Sequence, residues 1–452
     1  MNFYIAQDLF KYKRITIMNF KTITNLLVFG LLCNFVAHAQ KTAFEMSELM
    51  TRGINIGNTL DAENYEGGWA PAASEKDFDA IKKAGFTCVR IPITWGATLS
   101  KNDPTPRVDT VKPYKINKIF LDRVDSLVKW SLDRGLVTVI NVHHEKWLKS
   151  RHTFDEKSPR FYSIWEQLSK HYKDYPEELL FEILNEPHHE TNGEKDGLTQ
   201  EQVDGLNVKV LSIIRKKNPS RIAIYSGCTW SSILDLQNTA VPDTTDKYLM
   251  GTYHSYSPWN FAGEGNGTWG TNDDKKEMKD EFTNLLEYSK KHNVPVFIGE
   301  YAANQRCEYN SRMKHYAFYM EHIQKHTIAG TTWDDSGHRF KILNKETRVW
   351  DDAKDILVNY TFVSPDSLTL QHQDNKVIDV KWRNRTKNID KITIERRVGR
   401  IGDFVTIATI GSDEKYTDAS EKKFQTTYYY RVVNYLKDGS KLISYPQRIY
   451  LP

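Results

Sequence analysis

From Gln40 onward, short runs of apolar and β-branched residues alternate with longer stretches whose apolar positions recur every three or four residues. The short runs predict strands over 52–57, 86–92, 136–142, 179–184, 221–226, 248–253, 294–299 and 328–333. Between them, the stretches 74–84, 116–134, 161–172, 201–217, 275–292 and 312–326 predict amphipathic helices, the first opened by Ser74 and Asp77 as a capping pair. Eight strands alternating with helices predict an α/β fold of the (β/α)8, or TIM, barrel type. An open doubly wound sheet is the competing arrangement, but no Gly-rich phosphate loop opens any of the helices.

Beyond residue 360 the helical period disappears. Strand-like runs at 377–382, 391–396, 404–410, 426–433 and 442–450 follow one another with turn residues between them, the pattern of a small all-β sandwich. With Trp382 in an early strand, ITIERR at 392–397 and YYYRVVNYLKDGS at 428–440, this segment resembles a fibronectin type III module. A carbohydrate-binding module of sandwich form is the alternative, and it would expose a row of aromatics on one face. Alternation instead points Trp382 inward, and of the consecutive tyrosines only Tyr428 and Tyr430 share a face, so a structural role is expected. The junction near 361–365 is too short to let the module range freely. The organisation read from the sequence is a leader over 1–39, a catalytic barrel over 40–362 and a sandwich over 363–452.

The leader is read from the apolar run 22–37, which follows Lys21 and precedes Ala37-His38-Ala39: a basic region, a short apolar core and a small-residue cleavage site. Met18 is an alternative start. A membrane anchor would need a longer run, and Leu32 before Cys33 is too bulky for lipoprotein processing, so export to a secreted, periplasmic or cell-surface destination is expected, without stable membrane insertion. Composition adds exclusions. With 452 residues, 27% charged and 39% hydrophobic, the chain is neither collagen-like nor wholly disordered. The net charge of +4 conceals a body, residues 40–364, with 42 basic against 46 acidic side chains, which is a poor match to nucleic acid. Past the leader, Cys88, Cys228 and Cys307 form no C-x-x-C pair and are read as buried free thiols.

In such a barrel, chemistry collects where strands end at the C-terminal mouth. There the sequence places Arg90, His143-His144, Asn185-Glu186-Pro187, His254-Ser255-Tyr256 and Glu300. A lone glutamate after a strand is ordinarily a cap or a surface charge, and paired histidines are more often structural than substrate-binding. Five strand ends in register point elsewhere. Two carboxylates aimed into one mouth suit glycoside hydrolysis, one kept protonated for the leaving oxygen and the other kept ionised for attack.

RGINIGNTLDA (52–62), AGFTCVRIPITW (84–95), NVHHE (141–145), FEILNEP (181–187), HSY (254–256), IGE (298–300) and TTW (331–333) together resemble glycoside hydrolase family 5, the cellulase-type retaining β-glycosidases. The resemblance covers about residues 47–358 and implies a retaining endo-β-1,4-glucanase needing no metal or other cofactor. It implies Glu186 as acid/base and Glu300 as nucleophile. Arg90 and Tyr256 would hold Glu300 ionised, Asn185 would grip the substrate 2-hydroxyl, His254 would recycle the proton of Glu186, and His143 would line the cleavage subsite. Trp333 is implied as the floor of that subsite. Trp269, beside Trp259, is a second candidate platform, Trp69 and Trp147 lie in loops of the same face, and Asn58, Asp61 and His144 are candidate hydroxyl-binding residues. Trp130 and Trp165 fall within helices and are read as packing. Cellulose-type or mixed-linkage β-glucan is the expected partner of a monomer, with mannan or xyloglucan as alternative substrates. A non-catalytic glycan-binding protein would be expected to lack at least one of the two glutamates.

Overall fold

In the computed structural model, residues 40–188, 196–337, 339–373 and 377–452 are described; the expected leader lies outside them. Eight parallel strands close on themselves: β1 (Gly53–Asn55), β2 (Cys88–Ile91), β3 (Val137–Asn141), β4 (Leu179–Glu182), β5 (Ala223–Ser226), β6 (Leu249–Ser255), β7 (Val296–Tyr301) and β8 (Ala329–Thr332). Each pairs with its successor, and β8 returns to β1 with Gly53 opposite Thr331. All eight fall within a residue or two of the runs read from the sequence. Both faces of each strand are covered, which is why the runs are continuously apolar and not alternating. The helix Glu75–Ala84 carries the expected Ser74–Asp77 capping box and stops at Gly85, whose φ of 107° is open to glycine at little cost. The floor of the barrel is sealed by helix Ala43–Leu49, which sets Ala43 and Met46 against a cluster that includes Cys88, Val137 and Leu180. Cys88, Cys228 and Cys307 are buried free thiols. Among the described residues no helix is long and apolar enough to cross a membrane.

The remainder is all-β: β9 (Asp366–Gln373), β10 (Val377–Arg383), β11 (Ile389–Val398), β12 (Val405–Ile410), β13 (Lys415–Asp418), β14 (Thr426–Leu436), β15 (Lys441–Ile443) and β16 (Gln447–Leu451). One sheet has the order β9-β10-β13; the other has β12-β11-β14-β15, with β16 also on β14. Ile378, Val380 and Trp382 from the first and Ile392, Ile394, Tyr430 and Val432 from the second share one apolar core. The single strand read over 442–450 is divided, because Pro446 has no N–H for the ladder. The polar strands β9 and β13, absent from the sequence reading, complete the first sheet.

Barrel and sheets belong to one compact unit, Lys41–Pro452. Arg397 of β11 donates two hydrogen bonds, both 2.7 Å, to Asp352 at the start of helix Ala353–Asn359, and the Tyr309 hydroxyl donates a third at 2.7 Å. Arg431 reaches Asp355 at 2.9 Å and Arg385 reaches Glu321 at 2.8 Å. Tyr429, the one member of the tyrosine triplet that alternation turns out of the sandwich, is nonetheless only 4% exposed. The barrel's Tyr309 covers it edge-on, with ring centroids 5.2 Å apart.

Candidate active site

The mouth is organised around Arg90, wholly buried at the end of β2. Its Nε and Nη2 donate to Glu182 at 2.6 and 2.9 Å, a bidentate ion pair. Nη1 donates to Glu300 Oε1 at 2.8 Å and to Asn55 Oδ1 at 2.9 Å, and Nη2 also donates to Asn185 Oδ1 at 2.7 Å. Alternation along β4 and its continuation turns Glu182 into the barrel. One guanidinium on β2 therefore fixes groups from β1, β4 and β7.

Glu186 follows β4 in a left-handed conformation, φ 41°, which a side chain with a Cβ adopts only under constraint. Its Oε1 lies 2.8 Å from His254 Nδ1, and the same nitrogen is 3.7 Å from Glu300 Oε2. The Tyr256 hydroxyl donates to Glu300 Oε2 at 2.7 Å. One carboxylate oxygen of Glu186 and one of Glu300 come within 4.8 Å of each other.

The charges follow from this packing. Burial lowers the imidazolium of His254, but the two glutamates beside it carry its pKa above 6.5. Burial raises the carboxyl of Glu186, but the hydrogen bond and charge of His254, with Lys149 behind them, pull it below the usual range. Glu300 goes the other way. Burial and the neighbouring Glu186 raise it, and His254, Arg90 and Tyr256 offset only part of that rise. Arg90 does lower Glu300, as the sequence reading expects, but it is bidentate to Glu182 and gives Glu300 a single hydrogen bond, and burial with Glu186 outweighs it. The site therefore favours the charged form of His254, which lies one hydrogen bond from Glu186.

The other residues read from the sequence divide into two groups. Trp333 lies flat against His143, centroids 6.0 Å apart and planes 4° from parallel, beside Ala302, Phe340 and Tyr256. Gly57 is needed beneath it, since a Cβ there would approach its ring to 2.8 Å. His144 meets Trp69 edge-on at 5.7 Å, and Asn58 stands half-buried in a left-handed turn. Trp269 is a correction. It is only 4% exposed and packs at 5.2 Å on His315 and 5.5 Å on Phe318, so it is a core residue and offers no face to a sugar. Asp61 is another. It has no exposed surface, and its carboxylate accepts the N–H groups of Asn58 (3.0 Å) and Thr59 (2.7 Å), so it shapes the loop after β1; burial pushes it up to about 6. Trp147 gives its Nε1–H to Glu145 and carries Arg160 over its ring. Trp165 is wholly buried and Trp130 packs on Phe78, as helix packing requires.

Sequence reasoning missed Glu182, Asn55, Lys149 and Trp230. A lone carboxylate inside the apolar run LLFEIL was a signal for the first, since a buried glutamate requires a cation. Trp230, in the loop after β5, is 52% exposed and stacks on His188 at 3.9 Å with planes 2° apart. Two groups, Glu186–His254–Glu300 and Asp61–His143–His144, are compact enough to share an ion. Neither fits one well. Arg90 and the raised His254 repel a cation from the first, and the oxygens of Asp61 already accept backbone N–H groups.

Comparison with known proteins agrees with this geometry. The chain is 40% identical over 313 residues to endoglucanase H of Acetivibrio thermocellus, covering 68% of this chain and 32% of that protein, so it spans about a third of that relative's length. It is 32% identical over 366 residues to endoglucanase A of Clostridium longisporum, covering 73% of this chain and 68% of that one. The crystal structure of endoglucanase Cel5A from Thermotoga maritima superposes with a TM-score of 0.64 at 33% identity, covering 70% of this chain and 100% of that one. The family model for cellulase, glycosyl hydrolase family 5, matches residues 51–339, and the chain belongs to that family.

Proposed function

We propose that the protein is an exported, monomeric, retaining endo-β-1,4-glucanase that cuts internal bonds of cellulose-type or mixed-linkage glucan. The observation that carries this reading is the pair of glutamates whose nearest oxygens lie within 4.8 Å, bridged by His254. Retention needs carboxyl groups about 5–5.5 Å apart, whereas inversion leaves room for a water at about 6.5–9.5 Å. Glu300, oriented by Arg90 and Tyr256, attacks the anomeric carbon. The proton on His254 passes to Glu186, which delivers it to the departing oxygen. Once the aglycone has left, Glu186 takes a proton from water as that water attacks the glycosyl-enzyme, and His254 stores it again. Asn185, turned by Arg90, faces the 2-hydroxyl. Trp333 with His143 floors the cleavage subsite, and Trp230 stacks further out on the leaving-group side. The two relatives and the Thermotoga maritima structure, all named endoglucanase, support the glucan reading. Mannan is the second reading, because the Thermotoga maritima enzyme has been solved with mannotriose as well as cellobiose. The sandwich is a fibronectin type III-like module serving as a structural element, a reading supported by its two antiparallel sheets of three and five strands and by its ion pair with the barrel.

The experiment is product analysis on carboxymethylcellulose, barley glucan, xyloglucan and mannan side by side, with Glu300→Ala as control. Glucan cleavage is expected to dominate. Glu300→Ala is expected to lose turnover and to regain it with azide, giving the inverted glycosyl azide. Near-parental rates in that variant would overturn the nucleophile assignment, and a preference for mannan would replace the substrate.

A further inference from the structure

Lys149 stands in the loop after β3, only 7% exposed, and no sequence motif singles it out. Its ammonium donates to the carbonyl of Asn185 at 3.0 Å and to the carbonyl of Glu186 at 3.1 Å. Among the described residues it forms no ion pair, so a buried cation is held by two peptide oxygens alone. Such burial is unfavourable without a compensating role. These two carbonyls flank the Cα of Glu186. In an extended chain successive carbonyls point to opposite sides, whereas in a helical turn of either hand they point together. One ammonium can bind both only if Glu186 keeps a turn conformation, and its φ is 41°. His188 Nδ1 meets the same Glu186 carbonyl oxygen at 2.8 Å.

We propose that Lys149 is a positioning residue for catalysis: it clamps the left-handed backbone that aims the Glu186 carboxyl at His254, and its ammonium places positive charge behind that carboxyl. The proposal rests on the glycosidase reading of Glu186. The titratable groups facing Lys149 are Glu186, Glu145, Glu63, Lys146, His144 and His143. Those facing Glu186 are His254, Lys149, His144 and, across the cleft, Glu300. Removing the ammonium disfavours the ionised form of Glu186. The hydrogen-bonded pair Glu186–His254 then keeps its shared proton to higher pH, and the basic limb of the kcat/KM profile moves up.

The test compares Lys149→Met and Lys149→Gln in the full chain, using a cello-oligosaccharide and an activated dinitrophenyl cellobioside. For Lys149→Met, kcat/KM on the oligosaccharide is expected to fall on the order of 10–100-fold, as for loss of a charge-assisted hydrogen bond. The fall on the activated substrate, which needs little protonation, is expected to be smaller, and the basic limb to rise. Lys149→Gln keeps a donor without the charge, so part of the rate is expected to return while the limb stays displaced. That variant also carries the test if Lys149→Met does not fold. Equal loss on both substrates with the limb unmoved would mean ordinary structural support and overturn the proposal. Near-parental activity of Glu186→Gln on the oligosaccharide, measured in parallel, would instead overturn the acid assignment beneath it.

Discussion

The least expected residue is Glu182, because it changes what Arg90 can do. An arginine beside a nucleophile suggests a depressed carboxyl, but Arg90 serves two carboxylates and is bidentate to the one that takes no part in the chemistry. Glu300 therefore remains above the ordinary glutamate range under the influence of burial and Glu186. A nucleophile must be ionised, so activity is lost as pH falls through its pKa, and the acidic limb should lie above the usual 4.5. Glu182→Gln removes the competing charge. Arg90 then acts chiefly on Glu300, whose pKa drops, and the acidic limb should move to lower pH. Because the substitution breaks a buried ion pair, unfolding in denaturant should also show a loss of about 3 kcal/mol. Arg90→Ala should move the limb the opposite way. If Glu182→Gln left the limb in place or raised it, the division of Arg90 between two carboxylates would not be what sets the pKa of Glu300.

At the level of elements, regular structure was legible and loop direction was not. Runs such as CVRI and VTVIN are apolar on both faces, and only a strand covered by a barrel core and a helix layer needs that. The strand ends then followed, and with them Arg90, Glu186, His254 and Glu300. The loops carry no such period. Thr229, Trp230 and Ser231 take φ values of 74°, 59° and 56° in succession, and CTWS contains no glycine to announce it. The loop after β6 suggests a place at the mouth for Trp269, yet that loop turns back to begin helix Asn272–His292, and the ring packs on His315 and Phe318 of helix Tyr309–His326. The two tryptophans should therefore behave oppositely. Trp230→Ala should leave the melting temperature unchanged and raise KM roughly fivefold, the equivalent of about 1 kcal/mol of stacking. Trp269→Ala should lose about 3–5 kcal/mol of stability as a large core truncation. A KM effect from Trp269→Ala without loss of stability would return that residue to the substrate cleft.

For the whole molecule the question is whether the sandwich is an appendage. The contacts argue that it is a buttress. Asp352 opens the last barrel helix, and the neighbouring Asp351 accepts from Arg312 at 2.8 Å. Arg312 in turn donates to the Ala303 carbonyl, three residues past Glu300, so β11 is connected to the segment that carries Glu300. A barrel ending at Tyr360 would expose Tyr309 and leave Asp352 without Arg397. That truncation should keep its turnover on soluble glucan at moderate temperature but unfold at a lower one, and the full chain should melt in a single calorimetric transition. Arg397→Ala isolates one contact, and its pH dependence has a definite sign. Burial raises Asp352, but the hydrogen bonds from Arg397 and Tyr309 overcome it and hold the folded-state pKa below 3.8. A carboxyl depressed on folding contributes stability above its unfolded pKa and loses it as pH falls through the folded one. The deficit of Arg397→Ala should therefore be about 2 kcal/mol near neutral pH, since two charge-assisted hydrogen bonds to a partly screened carboxylate are lost. It should shrink below about pH 3.8, where Asp352 in the unfolded chain takes up its proton. Two resolved transitions in the parent, or a deficit that grows on acidification, would show that the sandwich folds independently of the barrel and that Arg397 does not secure it.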